Sequence, residues 1–323
     1  MHDEVSVASE LGSKLSIPVI AAPLFLVSGP DLVIGCCRDG VLGTFPSLNL
    51  RSAAAFEDWL IQIRDALAAH DQAHPERKAA PYGVNIIAHK TNLRLAEDMA
   101  LVEKYRVPVV ITSVGNPSEI VRTVHGYGGL VFHDVTTPGW ARKAISAGVD
   151  GIILVCGGAG GHAGIINPFA FVPQVREFYD GVVALAGCIS DGRSIHAAQA
   201  LGADFAYMGT KFIATTESMA GDPYKQMLID AGPTDLVYTP AFSGIPANML
   251  RQSIIDNGMD PDNLPTKEHI DLGEEFNHEA KAWRDIWTAG QGVGAIHDAP
   301  PVREVIARLK QDYDAARAQS AHR

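Results

Sequence analysis

Cysteine is scarce in this 323-residue chain, and its four copies form no CxxC pair. Cys36 and Cys37 are adjacent, so the spacing offers neither a zinc site nor a disulfide framework. Buried free thiols are expected at Cys36, Cys37, Cys156 and Cys188. Basic charge is also short: 26 Lys and Arg face 37 Asp and Glu, a formal net charge of −11. No basic stripe exists to neutralise phosphates, which excludes nucleic acid as a natural partner. A phosphorylated ligand would have to be held by backbone N–H groups and helix N-termini. Long apolar runs are missing too; the longest are strand-length, too short to span a bilayer. The start, "MHDEVSVASELGSKLSIP", lacks a basic region followed by an apolar one, so no signal peptide is read there. A cytoplasmic location is expected.

What is present is alternation. The composition, 47% hydrophobic and 20% charged, is that of a globular protein. Short β-branched runs are each followed by an amphipathic stretch: "IPVIAAP", "LGTFPS", "YGVNII", "VPVVITSVG", "LVFHDVT", "DGIILVCGG", "VVALAG" and "FAYMGTKFIA". After the second, Phe56, Trp59, Leu60, Ile63 and Leu67 fall on one helical face, with Ser52 as N-cap. The eighth run is followed by "DPYKQMLIDAG", taken as the eighth helix. Continuous apolar strands suit a parallel sheet covered on both faces. Eight consecutive units predict an α/β fold, a closed (β/α)8 TIM barrel, over an open doubly wound sheet. The barrel is expected over residues 1–232, with an irregular lid or small helical subdomain over 233–291. Residues 292–323 would form a C-terminal segment whose helix packs on the barrel.

In such a barrel the reactive groups sit where strands end and loops begin. That rule selects Ala22-Pro23-Leu24, Asn85, Ser113, His133, the loop "VCGGAGGHAG", Gly187-Cys188 and Gly209-Thr210. Gly187, Gly209 and Thr210 end the seventh and eighth strands, a common place for a phosphate, with Ser190 or Asp191 capping the next helix. The bland alternative is that these glycines only make tight turns. Gly158-x-Gly160-x-x-Ala163 formally matches the dinucleotide fingerprint, but it lies in the sixth unit, and the acidic residue about twenty positions on precedes its strand. That reading is rejected. His162 is flanked by glycines that cannot shield it from a ligand, and an imidazole of ordinary pKa about 6.5 suits a general base. His133 either lines the same pocket or packs. No second histidine or carboxylate stands at metal-ligand spacing from His162.

The loop "GGAGGHAG", the stretch "SDGRSIHAAQALGADFAYMGTKFIAT" and "IWTAGQGVG" together resemble the nitronate monooxygenase family, also called 2-nitropropane dioxygenase-like. The resemblance runs through most of the chain and is strongest from about Gly151 to Ala214. It implies FMN at the C-terminal face of the barrel. Ala22 and Pro23 would border the isoalloxazine, Asn85 would contact it, and Gly158 would lie alongside, with Val155 at the end of the sixth strand. Gly187, Tyr207, Met208, Gly209 and Thr210 would hold the ribityl phosphate. His162 matches the family's catalytic histidine, placed to take a proton from the carbon bearing a nitro group; His133, if it lines the pocket and does not pack, would face the substrate. The substrates implied are a nitronate or nitroalkane with O2, giving a carbonyl compound and nitrite; a homodimer is allowed. Two departures stand out. Val155-Cys156 occupies a place where relatives often carry glutamine, and Asp134 one where others carry lysine. The superfamily also holds NAD(P)H-dependent reductases of quinones and enoyl thioesters, which form the rival reading.

Overall fold

The computed structural model describes residues 6–265 and 284–321. Every apolar run singled out above becomes a strand: β1 (Val19–Ala21), β2 (Leu42–Pro46), β3 (Gly83–Ile87), β4 (Val109–Ser113), β5 (Leu130–Val135), β6 (Gly151–Val155), β8 (Val182–Ala186) and β9 (Phe205–Met208). These eight close into a barrel in that order, and β9 pairs in parallel with β1 through Ile20 and Tyr207. Two of the strands show the alternation that makes both faces apolar. On β9, Phe205 and Tyr207 point into the barrel while Ala206 and Met208 join the layer beneath the helices. On β4, Val109 and Ile111 point in while Val110 points out. The period of two thus feeds two cores from one strand. Helix α1 (Val7–Gly12) closes the lower end of the inner core with Leu11.

The outer layer is built by α2 (Pro30–Arg38), α3 (Ala53–Ala73), α4 (Leu95–Lys104), α5 (Ser118–Gly126), α6 (Pro138–Ser146), α7 (Pro168–Arg176) and α8 (Gly192–Leu201). Ser52 caps α3 by accepting from Ala55 N, and Phe56, Leu60, Ile63 and Leu67 are buried on the expected face. Trp59 is half-buried and tilts against Phe45, with centroids 5.6 Å apart.

The eighth outer helix is not the one expected. After β9 comes a four-residue turn of helix, α9 (Thr210–Ile213), and then α10 (Asp222–Asp230). Tyr224 and Leu228 of α10 are buried in a separate cluster with Val27, Leu250 and Val293. The vacant place in the ring is filled by α12 (Val302–Ala321), whose Val302, Val305, Ile306, Leu309 and Tyr313 join the outer core. A Cβ on Gly35 of α2 would come within 2.5 Å of Val302, and Tyr313 Oη donates to Gln199 Oε1 of α8 at 2.6 Å. So α12 seats between α2 and α8.

The stretch from Asp235 onward is more regular than its composition suggested. β10 (Leu236–Thr239) pairs antiparallel with β11 (Ala247–Leu250), and β11 pairs antiparallel with β7 (Gly161–His162). Helix α11 (Arg251–Asp256) follows. The rest of the lid expectation, over 266–283, lies outside the described residues. Among the described residues no helix is long and apolar enough to cross a membrane.

Candidate active site

A cavity of about 720 Å³ opens at the C-terminal ends of the barrel strands, within the size range of small-molecule and cofactor sites. It brings together Ala22, Pro23, Asn85, His133, Val155, Gly158, His162, Gly187, Tyr207, Gly209 and Thr210. Met208 is the one expected contact that is not brought in. Its side chain points the other way from Tyr207, into the outer core, and its carbonyl accepts from Ala22 N at 2.9 Å.

Polar side chains form the floor. Asn85 Nδ2 donates to Ser113 Oγ at 2.8 Å, and Ser113 Oγ donates to Asp134 Oδ2 at 2.5 Å. The second carboxylate oxygen, Oδ1, is sealed from solvent and has no hydrogen-bond partner. Burial pushes the Asp134 carboxyl up to about 6, opposed only by the Ser113 hydrogen bond. Burial also raises the Tyr207 phenol, with the nearby Asp134 charge adding to it. His133 is held differently. Thr112 Oγ1 donates to Phe132 O at 3.1 Å and lies 2.7 Å from His133 Nδ1, so the arrangement satisfying both puts the ring proton on Nδ1. Burial lowers the His133 pKa to about 4, which leaves the ring neutral near pH 7.

The glycine loop is not a loose surface turn. Its residues Gly161 and His162 are the third strand of the small sheet, opposite Asn248 and Ala247. Asn248 Nδ2 donates to Ala159 O at 2.7 Å and Tyr238 Oη to Ala163 O at 2.8 Å. His162 Nε2 lies 3.0 Å from Ser243 Oγ, which itself donates to Ile245 O at 3.0 Å. Ser243, its own proton given to Ile245 O, can accept an N–H from His162 Nε2. Close approach explains the missing side chains. A Cβ on Gly158, at φ +84°, would lie 2.5 Å from Cys188 Sγ, and one on Gly160 would lie 2.8 Å from Gly290 N. Gly290 N donates to Thr210 Oγ1 at 2.9 Å, and Gln291 N to Gly158 O at 2.8 Å.

The corner after β8 and β9 separates two roles that the sequence could not. Asp191, not Ser190, caps α8: it accepts from Ser194 N at 2.7 Å in a capping box. That helix end already faces an anion of its own, and Gly187, Gly209 and Thr210 line the cavity beside it together with Ser190, Gly290 and Gly292. Gly187 needs its glycine, with φ +122°. At Gly209 a Cβ would meet Leu24 Cδ2 at 3.1 Å, so bulk there presses on the loop after β1. Cys188 corrects the thiol expectation. It is exposed and in the left-handed region at φ 59°, unlike the buried Cys36, Cys37 and Cys156.

Sequence reasoning met Asp134 only as a departure from relatives that carry lysine, and passed over Ser243 altogether. The first could not be read from alternation alone, because the phase that turns Phe132 and not Val131 inward is set by the pairing of β5. The second carries no local signal; it meets His162 only through the fold. Among the described residues no cluster of three or more His, Cys, Asp or Glu could hold a metal ion.

Comparison with known proteins places this geometry. The chain is 28% identical over 240 residues to (3aS,4S,5R,7aS)-5-hydroxy-7a-methyl-1-oxo-octahydro-1H-indene-4-carboxyl-CoA dehydrogenase of Rhodococcus jostii (strain RHA1), covering 74% of this chain and spanning 64% of that protein's length. It is 28% identical to the nitronate monooxygenase of Paraburkholderia phytofirmans, over 91% of this chain and 92% of the relative. Among solved structures, nitroalkane oxidase from Streptomyces ansochromogenes matches with a TM-score of 0.79 and 26% identity, covering 96% of this chain and 99% of that one. FabK from Thermotoga maritima matches with the same TM-score, 0.79, at 25% identity over 98% of both chains. Residues 9–312 match the family description "Nitronate monooxygenase", and the chain belongs to that family.

Proposed function

We propose that this protein is an FMN-dependent nitronate monooxygenase, oxidising alkyl nitronates, and nitroalkanes through them, with O2 to a carbonyl compound and nitrite. One observation carries the reading. A histidine set among glycines, with its Nε2 held by Ser243, stands over a glycine-lined cavity at the mouth of a (β/α)8 barrel.

The residues present fit FMN. Gly158 and Gly187 have positive φ and leave the wall bare of side chains, the cradle a flat ring needs. Ala22, Pro23, Asn85 and Val155 would border the ring. The Gly209 and Thr210 backbone would face the phosphate, and Thr210 Oγ1, which accepts from Gly290 N, keeps its proton to donate. Bound there, FMN would supply the redox chemistry that links the substrate to O2. Everything else falls to the chain. His162 takes the proton from the carbon bearing the nitro group, and Ser243 orients its ring through Nε2. Neutral His133 braces the wall through Thr112.

Substitution of His162 by Asn tests the assignment. Flavin content should stay unchanged, and heat should release FMN, not FAD. Turnover of a neutral nitroalkane should fall roughly 10²- to 10⁴-fold, while turnover of a preformed nitronate should fall far less because its proton is already gone. Equal losses on both substrates would remove the base assignment. A parent enzyme inert on both, yet rapidly oxidising NADPH with a quinone, would move the reading to a reductase.

A further inference from the structure

We propose that Asp134 sets the charge of ligand the cavity accepts, repelling an anion while ionised and admitting it once protonated. The inference rests on the cavity being the substrate site, not on which substrate it takes. Asp134 is a wall residue of that cavity, with Oδ2 on Ser113 and Oδ1 unpartnered and sealed. A carboxylate with only one of its oxygens bonded is poorly compensated for the water it has lost. Among the described residues no cation pairs with it, although Arg284 and His162 line the same cavity. The groups around it are Ser113 of β4, Asn85 of β3, Tyr207 of β9, and Ile153 and Val155 of β6. Tyr207 keeps its proton, and His133, next in sequence, is neutral above about pH 4. The Asp134 carboxyl, pushed up to about 6, therefore changes charge within the working range with no cation among the described residues paired to it.

The consequence is selective. A neutral ligand meets the same floor at any pH, whereas an anion meets a second negative charge once Asp134 ionises. At protein-like effective dielectric, two such charges in one cavity separate the affinities by roughly tenfold or more.

A matched pair of probes tests this: benzoate, ionised throughout, and its neutral isostere benzamide. Each is titrated calorimetrically into the FMN-loaded protein across pH 5 to 8, a window bracketing the carboxyl at about 6. Benzoate affinity should fall roughly tenfold or more as pH rises through that midpoint, while benzamide affinity stays level. Asp134→Asn should bind benzoate at pH 8 about as tightly as the parent does at pH 5. Ser113→Ala removes the hydrogen bond that favours the ionised form, so it should move the benzoate midpoint upward. That variant keeps the idea testable if Asp134→Asn does not fold. A level benzoate profile in the parent overturns the proposal, as does a pH dependence surviving in Asp134→Asn or a midpoint unmoved in Ser113→Ala. Failure of both probes to bind overturns the substrate-site reading along with it.

Discussion

His133 and Asp134 are neighbours on β5 and titrate in opposite senses. Burial lowers the histidine to about 4 and raises the carboxyl to about 6. For His133 the folded state binds fewer protons than the unfolded state, so stability is lost as pH falls from about 6.5 toward 4. For Asp134 the folded state binds more, so stability is lost as pH rises from about 4 through 6. Each effect is of order 2–3 kcal/mol, and across that window they offset one another. We therefore expect the parent's urea midpoint to change little between pH 4 and 6.5 on account of this pair. Asp134→Asn should make stability fall on acidification, and His133→Asn should make it rise. Parallel profiles for all three proteins would remove both titrations. The strand end carrying these residues was legible in the sequence, and so was His133 as a wall residue. Which neighbour faces inward depends on the phase of the pleat, fixed by pairing with β4 and β6 and not by local composition.

The same contrast holds for whole elements. All eight barrel strands were readable because parallel strands with two buried faces leave unbroken β-branched runs. The small sheet left no such trace. Its strands are two to four residues long, and the hairpin joining two of them carries Pro, Gly and Ser like any loop. Its third strand is the glycine loop itself, some eighty residues earlier. The gain from that pairing is orientation. The turn between β10 and β11 carries Ser243, 1% exposed, onto His162 Nε2. Ser243→Ala should cost about 1 kcal/mol of stability, the worth of an ordinary hydrogen bond. It should lower nitroalkane turnover roughly tenfold by letting the ring turn, less than His162→Asn does. Urea melts and steady-state rates on one preparation check both; unchanged turnover would mean the hydroxyl does not orient the ring.

At the scale of the molecule, the barrel wall depends on an element far from its last strand. Val302, Val305, Ile306, Leu309 and Tyr313 of α12 are all nearly fully buried between α2 and α8. Such side chains contribute about 1.5–3 kcal/mol each, so α12 supplies roughly 10 kcal/mol before the cost of ordering it. Whole domains are stable by only about 5–15 kcal/mol. A chain stopped after Pro301 should lose its cooperative thermal transition, as followed by circular dichroism. A sharp melt close to the parent's would show that the remaining ring closes by itself. The position of α12 also has a consequence during translation. Seven strand-and-helix units can dock in turn as they leave the ribosome, but the flank shared by Gly35 and Gly192 stays uncovered until α12 has emerged. For that interval the nascent chain displays one continuous greasy stripe, the kind of surface a holdase chaperone grips. Docking of α12 is thus the step that covers the stripe and frees the polypeptide from such attention.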